Sequence, residues 1–305
     1  MFRRIIVPLD GTRFAEHAVP VAMALAVADD CRLILAHVDV APLPLDEPRI
    51  VNVFDVTNRD EYTAAILDYL TDVARRISAS KEIDVEWIIL TGDVPQAIER
   101  LAGDRGADLI VMASHDRSAL GRLVLGSEGE RIVRNAGLPV LLVRKSESQL
   151  KLEREADPAM VTDPITGQVA RFQNVLLPLD GAPLSEVVLE PAREVAQAMG
   201  ARITVMTVCD TAHLAGGPPD FASRAYLEAV ARGLRSTGIA VDVAVVQGRN
   251  VAKAIARAVT DLAADAIAMA THGRGGLSRL VHGRVAGKVL DSVLMPVLFV
   301  RPRSR

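Results

Sequence analysis

The chain has 305 residues, half of them apolar and 24 % charged, and a net charge of −3. That length suits two domains at roughly 100–200 residues each. The charge supplies no basic field for nucleic acid, and no apolar run nears the roughly 20 residues of a membrane span.

The two cysteines, Cys31 and Cys209, are far apart and in no metal-type spacing, which argues against a disulfide framework and for a reducing, cytoplasmic setting. The opening MFRRIIVPLDG has an apolar run too short for a signal peptide, ending at Asp10. RRIIVPL then reads as a short strand closed by Asp-Gly, and residues 13–28 carry apolar positions at helical spacing. CRLILAHVDV is a strand. The long stretch from Ala41 to Tyr62 reads as a loop over the sheet's carboxyl edge. Residues 60–80 are helical, with Tyr62, Ile66, Leu67, Leu70, Val73 and Ile77 in register. VEWIIL is a strand, PQAIERLAGDR a helix, ADLIVMAS a strand, 126–136 a helix and LPVLLVR a closing strand. Strands rich in Val, Ile and Leu that alternate with helices predict an α/β domain, an open parallel sheet covered on both faces.

The pattern is then written again. RRIIVPLDGTRFAEHAVPVAMALA returns as QNVLLPLDGAPLSEVVLEPAREVA from Gln173, which places Asp10 opposite Asp180. GDVPQAIERLAGDRGADLIVMASH returns from Gly248 as GRNVAKAIARAVTDLAADAIAMATH, with one extra residue. Segments 113–144 and 270–301 align without a gap and end on LPVLLVR and MPVLFVR. Two copies of one domain are expected, at 1–144 and 172–305, joined by a charged, proline-bearing linker over 145–171.

Ligands of open α/β sheets bind where strands end. In the first copy that edge holds Asp10, Val38 and the loop after the fourth strand; in the second, Pro178, Asp180, Val208 and residues 270–284. Asp10 and Asp180 read either as carboxylates for a ribose hydroxyl or adenine edge, or as helix caps. In ATHGRGGLSRLVHGR, Gly273, Gly275 and Gly276 allow close backbone approach, and Gly283 opens a helix whose N–H groups suit a phosphate. The same glycines serve equally well in a plain strand-to-helix connection. No G-x-G-x-x-G follows the first strand, and GRVAGKV lacks the spacing and the hydroxyl residue of a phosphate-binding P-loop. There is no G-x-S-x-G elbow and no zinc-type cluster, and His115 and His272 read as loop residues. No catalytic residue and no metal site is expected.

The segments VPLDG and LPLDG, GADLIVMASH and ADAIAMATHGRGGLSRL, LPVLLVR and MPVLFVR together resemble a tandem universal stress protein. The resemblance spans nearly everything but the linker and the 41–60 loop. It implies a Rossmann-like sheet of five strands in each copy, akin to the adenine nucleotide alpha hydrolases, in the order 3-2-1-4-5. ATP-binding members carry G-x-x-G, nine residues, then G-S/T, with the early Asp and the end of the second strand holding the nucleoside. Here that pattern falls on Ala113, Asp116, Gly126 and Ser127 in the first copy and on Ala270, Gly273, Gly283 and Arg284 in the second. Asp116 sets a carboxylate near the phosphates, a repulsion of about 1–4 kcal/mol. Arg284 either clamps a phosphate or takes its place.

Family members pair through the last strand, so LPVLLVR is expected beside MPVLFVR, a dimer fused into one chain, with a homodimer of such chains left open. The resemblance implies a non-enzymatic stress-response protein whose partner is an adenine nucleotide, ATP (with Mg²⁺ only alongside it), held in the second copy. No nucleic-acid or membrane partner is expected. The alternative is a nucleotide-free interaction scaffold in which both loops are structural. No general base, arginine finger or metal carboxylates suited to efficient hydrolysis stand out, and the S-G-G-x-D-S loop of adenylating relatives is replaced by PLDGTRFA and PLDGAPLS.

Overall fold

A computed structural model describes residues 1–27, 30–40, 59–114, 127–144, 165, 170–209, 220–271 and 284–302. The loop expected over 41–58 and the glycine loops 115–126 and 272–283 lie outside the described residues, as does most of the linker. The first copy runs β1 (Arg4–Pro8), a 3-10 turn (Ala15–His17), α1 (Ala18–Leu25), β2 (Arg32–Asp39), α2 (Arg59–Ser80), β3 (Asp84–Thr91), α3 (Val94–Arg105), β4 (Leu109–Ala113), α4 (Ser127–Asn135) and β5 (Val140–Val143). The second runs β6 (Asn174–Pro178), α5 (Pro183–Glu186), α6 (Leu189–Met199), β7 (Arg202–Cys209), α7 (Asp220–Arg235), β8 (Val241–Gln247), α8 (Val251–Asp261), β9 (Ala266–Ala270), α9 (Arg284–Leu290) and β10 (Val297–Val300).

Each copy has the expected strand order, β3-β2-β1-β4-β5 and β8-β7-β6-β9-β10. The two last strands lie side by side as expected: β5 and β10 pair antiparallel, Val140 opposite Phe299 and Leu142 opposite Val297, and join the two five-stranded sheets into one of ten strands. The strand sequences explain the fusion. VLLV and VLFV are buried along their whole length, so neither can stand at an exposed edge with its backbone groups unpaired. Every other pairing is parallel.

Alternate strand residues point to opposite faces. Ile5, Leu33, Leu109, Val175, Ile203 and Leu298 pack on one face beneath α1, α2, α6 and α7. Ile6, Ile34, Ile110, Leu176, Met206 and Phe299 pack on the other beneath α3, α4, α8 and α9. Both cores therefore run through both copies without a break.

The first helix, expected over 13–28, is in two pieces, and α5 and α6 repeat the break. The cause is a proline at the third residue of α1 and of α6, Pro20 and Pro191. Neither can donate an N–H to the carbonyl four residues earlier, so a continuous helix cannot pass through. Both are tolerated in a first turn, where that N–H has no partner anyway.

Two pairs of side chains repeat across the copies. Asp108 accepts from the N–H groups of Arg3 and Arg4, and Asp265 does the same for Gln173 and Asn174, so the fourth strand of each copy is pinned beside the first. The arginine after each last strand reaches into the other copy. Arg144 donates to the carbonyls of Leu290 and Val293 at the end of α9, and Arg301 donates to those of Arg134 and Asn135 at the end of α4. A cation there satisfies carbonyls that the helix itself cannot.

Arg144 is buried and Arg301 is exposed. Arg144→Ala is expected to lower stability in urea titrations by about 1–3 kcal/mol, because buried carbonyls lose a charged donor. Arg301→Ala should cost less than half as much. Equal losses would contradict the assignment.

Candidate functional site

β1 lies between β2 and β4. The chain leaves β1 toward the α1 face and leaves β4 toward the α4 face, so a crevice opens between their carboxyl ends. At this crevice β2 outruns β1. The last register pair is Pro8 with Ala36, and the Ala36 carbonyl accepts from the Leu9 N–H at 2.8 Å. Backbone groups of alternate strand residues point the same way. Val38 therefore turns its N–H and C=O to the side that β1 has left. Asp39, one residue on, turns the other way, and its carbonyl accepts from Gly92 at 3.2 Å. The second copy repeats this geometry: Leu179 donates to Met206 at 2.8 Å, Gly248 donates to Cys209 at 3.0 Å, and Val208 turns its backbone groups to the crevice.

In the first copy the crevice is a cavity of about 470 Å³, lined by Leu9, Asp10, His37, Val38, Asp39, Tyr62, Met112, Ala113, Ser114, Glu128, Gly129 and Ile132 among others. The structure thus brings together Asp10, Val38 and Ala113. Ser127 is the first residue of α4. Its side chain, and Asp116 and Gly126 altogether, lie outside the described residues. In the second copy Pro178 closes β6, Asp180 follows two residues later, Val208 sits near the end of β7, Ala270 ends β9 and Arg284 begins α9. The Arg284 side chain, with Gly273 and Gly283, lies outside the described residues.

Neither Asp10 nor Asp180 caps a helix; Phe14 and Ala182 hold those places. Each aspartate instead folds back on its own turn. Asp10 Oδ1 accepts from the Thr12 N–H at 2.9 Å and from the Thr12 hydroxyl at 2.6 Å, and Asp180 Oδ1 accepts from the Ala182 N–H at 2.9 Å. A side chain bonded two residues ahead defines an Asx turn. It is closed by glycine at positive φ, +85° at Gly11 and +76° at Gly181.

Sequence reasoning missed His37, Asp39, Tyr62, Ser114 and Glu128. The signal was a histidine and an aspartate at the end of a strand otherwise apolar on both faces. His37 is buried, and its Nδ1 lies 2.8 Å from the Leu9 carbonyl. A carbonyl only accepts, so Nδ1 carries a proton, and Nε2 lies 3.1 Å from the Tyr62 hydroxyl. The Tyr62 phenol is raised above its ordinary pKa, first by desolvation and then by Asp39 and Asp10.

The copies differ most in charge at this edge. The aligned positions of Asp39, Glu128 and Glu130 hold Cys209, Val285 and Gly287 in the second copy. Asp93 caps α3 and is held below its ordinary pKa by Arg131, which grips it through two bonds of 2.7 and 2.9 Å. The second copy has Asn250 as the cap and Lys288 in the arginine's place.

A sequence model described as the universal stress protein family matches residues 1–144 and 171–301. A universal stress protein of Mycobacterium tuberculosis is 24 % identical over 97 % of this chain and 96 % of its own length. One from Thermus aquaticus is 35 % identical over 47 % of this chain and its own full length. Among solved structures, a universal stress protein from Archaeoglobus fulgidus has a TM-score of 0.70 at 20 % identity and covers 98 % of both chains, a likeness of fold.

Gly11 has room for a methyl group, which would meet only Ile66 Cδ1, at 3.5 Å. The penalty of Gly11→Ala is therefore conformational, about 1–2 kcal/mol for a left-handed residue with a Cβ. Gly11→Asn should lose less, since Asn tolerates positive φ. Chemical denaturation of both variants measures this, and an alanine no worse than the asparagine would refute it.

Proposed function

The chain belongs to the universal stress protein family, and from that premise we propose that it is a regulatory nucleotide-binding protein, without catalysis of its own, that holds an adenine nucleotide in the second copy's cleft and not in the first. ATP is the nucleotide of choice, with Mg²⁺ arriving only as its companion. The observation that carries this reading is the difference in charge between the two clefts.

In the first copy Asp39 and Glu128 line the cavity, and Glu130 joins Glu128 in the first turn of α4. Each carboxylate within a few Å of a phosphate repels it by about 1–4 kcal/mol, depending on the effective dielectric. Glutamates in the first turn also take up the positive end of the helix that a phosphate would use. The second copy removes all three charges. The first turn of α9 carries no acidic residue, and among the described residues no carboxylate pairs with Lys288. The backbone groups of Val208 remain turned to the crevice, where an adenine edge can bond them. Slow or absent hydrolysis belongs to the same proposal.

Cys209 gives a direct test in the full chain. It sits where Asp39 sits in the first copy, half-buried, with its thiol donating to the Ser223 hydroxyl at 3.4 Å. Cys31 is a built-in control: it is buried, and desolvation foremost, with help from Asp108 and Asp30, pushes its thiol up to about 11. Iodoacetamide at neutral pH is expected to label Cys209 and spare Cys31. ATP should slow that labelling several-fold and titrate with one site per chain. Protection absent despite ATP binding would place the nucleotide elsewhere. No binding at millimolar ATP would favour the nucleotide-free scaffold. A turnover on the order of 1 s⁻¹, as in kinases, would sink the non-catalytic reading.

A further inference from the structure

The sheet stops at β3 on one side and at β8 on the other. Each of these strands bonds its inner neighbour through alternate residues: Gly92 donates to Asp39, Gly248 donates to Cys209, and the Ala240 carbonyl accepts from Ile203. By that alternation Val85, Trp87, Ile89 and Thr91 turn their backbone N–H and C=O groups outward, and so do Val241, Val243, Val245 and Gln247. Among the described residues the Val241 carbonyl alone is covered, by Arg235. Proteins guard such edges with lysine, proline, bulges or very short strands. β8 (VDVAVVQ) has one charge in seven residues, and β3 (DVEWIILT) has neither lysine nor proline. Trp87, in the middle of β3, is 41 % exposed.

The two edges fit each other. The strands of the two copies run in opposite directions, as β5 and β10 show, so β3 of one molecule meets β8 of another antiparallel. Laid together over their full length, they set Trp87 opposite Val245 of the second molecule, Ile89 opposite Val243 and Val85 opposite Gln247. The outward groups of those three pairs then satisfy one another. The faces agree as well. Val85, Ile89, Val243 and Val245 pack toward one core, and Ile88, Leu90, Ala244 and Val246 toward the other. The contact therefore extends both cores, as the β5–β10 seam does.

Charge selects this pairing over two like edges. Residues 1–144 hold 22 Asp and Glu against 16 Lys and Arg, a net −6, whereas residues 172–305 hold 11 against 15, a net +4. Pairing β3 with β3, or β8 with β8, brings like-charged copies together; pairing β3 with β8 brings unlike ones together. At the contact itself the exposed Asp84 lies beside the exposed Arg249 of the second molecule.

We propose that the chain associates with itself head to tail, β3 of one molecule adding to β8 of the next. The contact is heterologous, so it repeats along a series instead of stopping at a dimer. It does not depend on nucleotide binding.

Sedimentation of the full chain over a range of concentrations tests this. At low salt the chain is expected to form dimers and larger species in series, and added salt should weaken the association several-fold. Val245→Pro removes an outward N–H from β8, and Trp87→Pro does the same in β3; an edge strand tolerates proline where its N–H faces solvent. Each variant alone should stay monomeric. An equimolar mixture of the two should form a dimer and nothing larger, because one free β3 and one free β8 remain. Should either proline variant melt below the parent, Trp87→Lys and Arg249→Glu replace them, and each should weaken association several-fold. A parent that is monomeric at millimolar protein, a parent that stops at the dimer, or association insensitive to salt would each overturn the proposal. So would a single proline variant that still dimerises by itself, which would mean a symmetric contact between like edges.

Discussion

The antiparallel pairing of β5 with β10 is the constraint on which the rest of the structure depends. Each strand is four residues long, apolar and buried throughout. Alone it would be an edge with unpaired backbone groups; together the two strands are the middle of a sheet. The crossed arginines secure the same seam, each serving carbonyls at the end of a helix in the other copy. Because both hydrophobic cores cross the seam, neither copy completes its own core at that side. The clefts, by contrast, sit at the strand ends between β1 and β4 and, by the same geometry, between β6 and β9. They lie away from the seam, and changing them leaves the frame intact.

The frame was legible in the sequence because it rests on patterns that repeat. Runs such as RIIVP and RLILAH are apolar on both faces, which only a covered parallel strand requires, and each is written a second time. The pairing of LPVLLVR with MPVLFVR was legible by resemblance, while the continuity of both hydrophobic cores across it was not, since nothing in a short apolar strand says that two domains share one core. The break before α1 was visible in principle at Pro20, which sits in an otherwise unbroken helical periodicity.

The clefts were only half legible. Asp10 and Asp180 stand at the strand ends as expected, and of the two readings open for them the helix cap is not what the structure shows. The chain turns tightly at the following glycine, and the carboxylate is used two residues on, before any helix begins. Val38 and Val208 act through backbone groups, so no side-chain chemistry announces them; what exposes those groups is the early end of the neighbouring strand. Asp39, Ser114 and Glu128 fall outside the glycine pattern that the family resemblance supplies. A position-by-position comparison of charge between the copies, Asp39 against Cys209 and Glu128 against Val285, finds them without a structure.

Fusion through β5 and β10 has a consequence for how the two clefts change over time. In a dimer of identical chains every substitution appears in both sites at once, so a residue useful in one is imposed on the other. Written twice in one chain, the copies mutate separately while the shared sheet keeps them together at a fixed ratio of one to one, whatever the amount of protein made. The frame residues of the seam stay matched, arginine for arginine, and the cleft residues diverge from carboxylate to thiol and aliphatic. Covalent linkage thus converts a symmetric pair into two independently tunable halves of one continuous sheet.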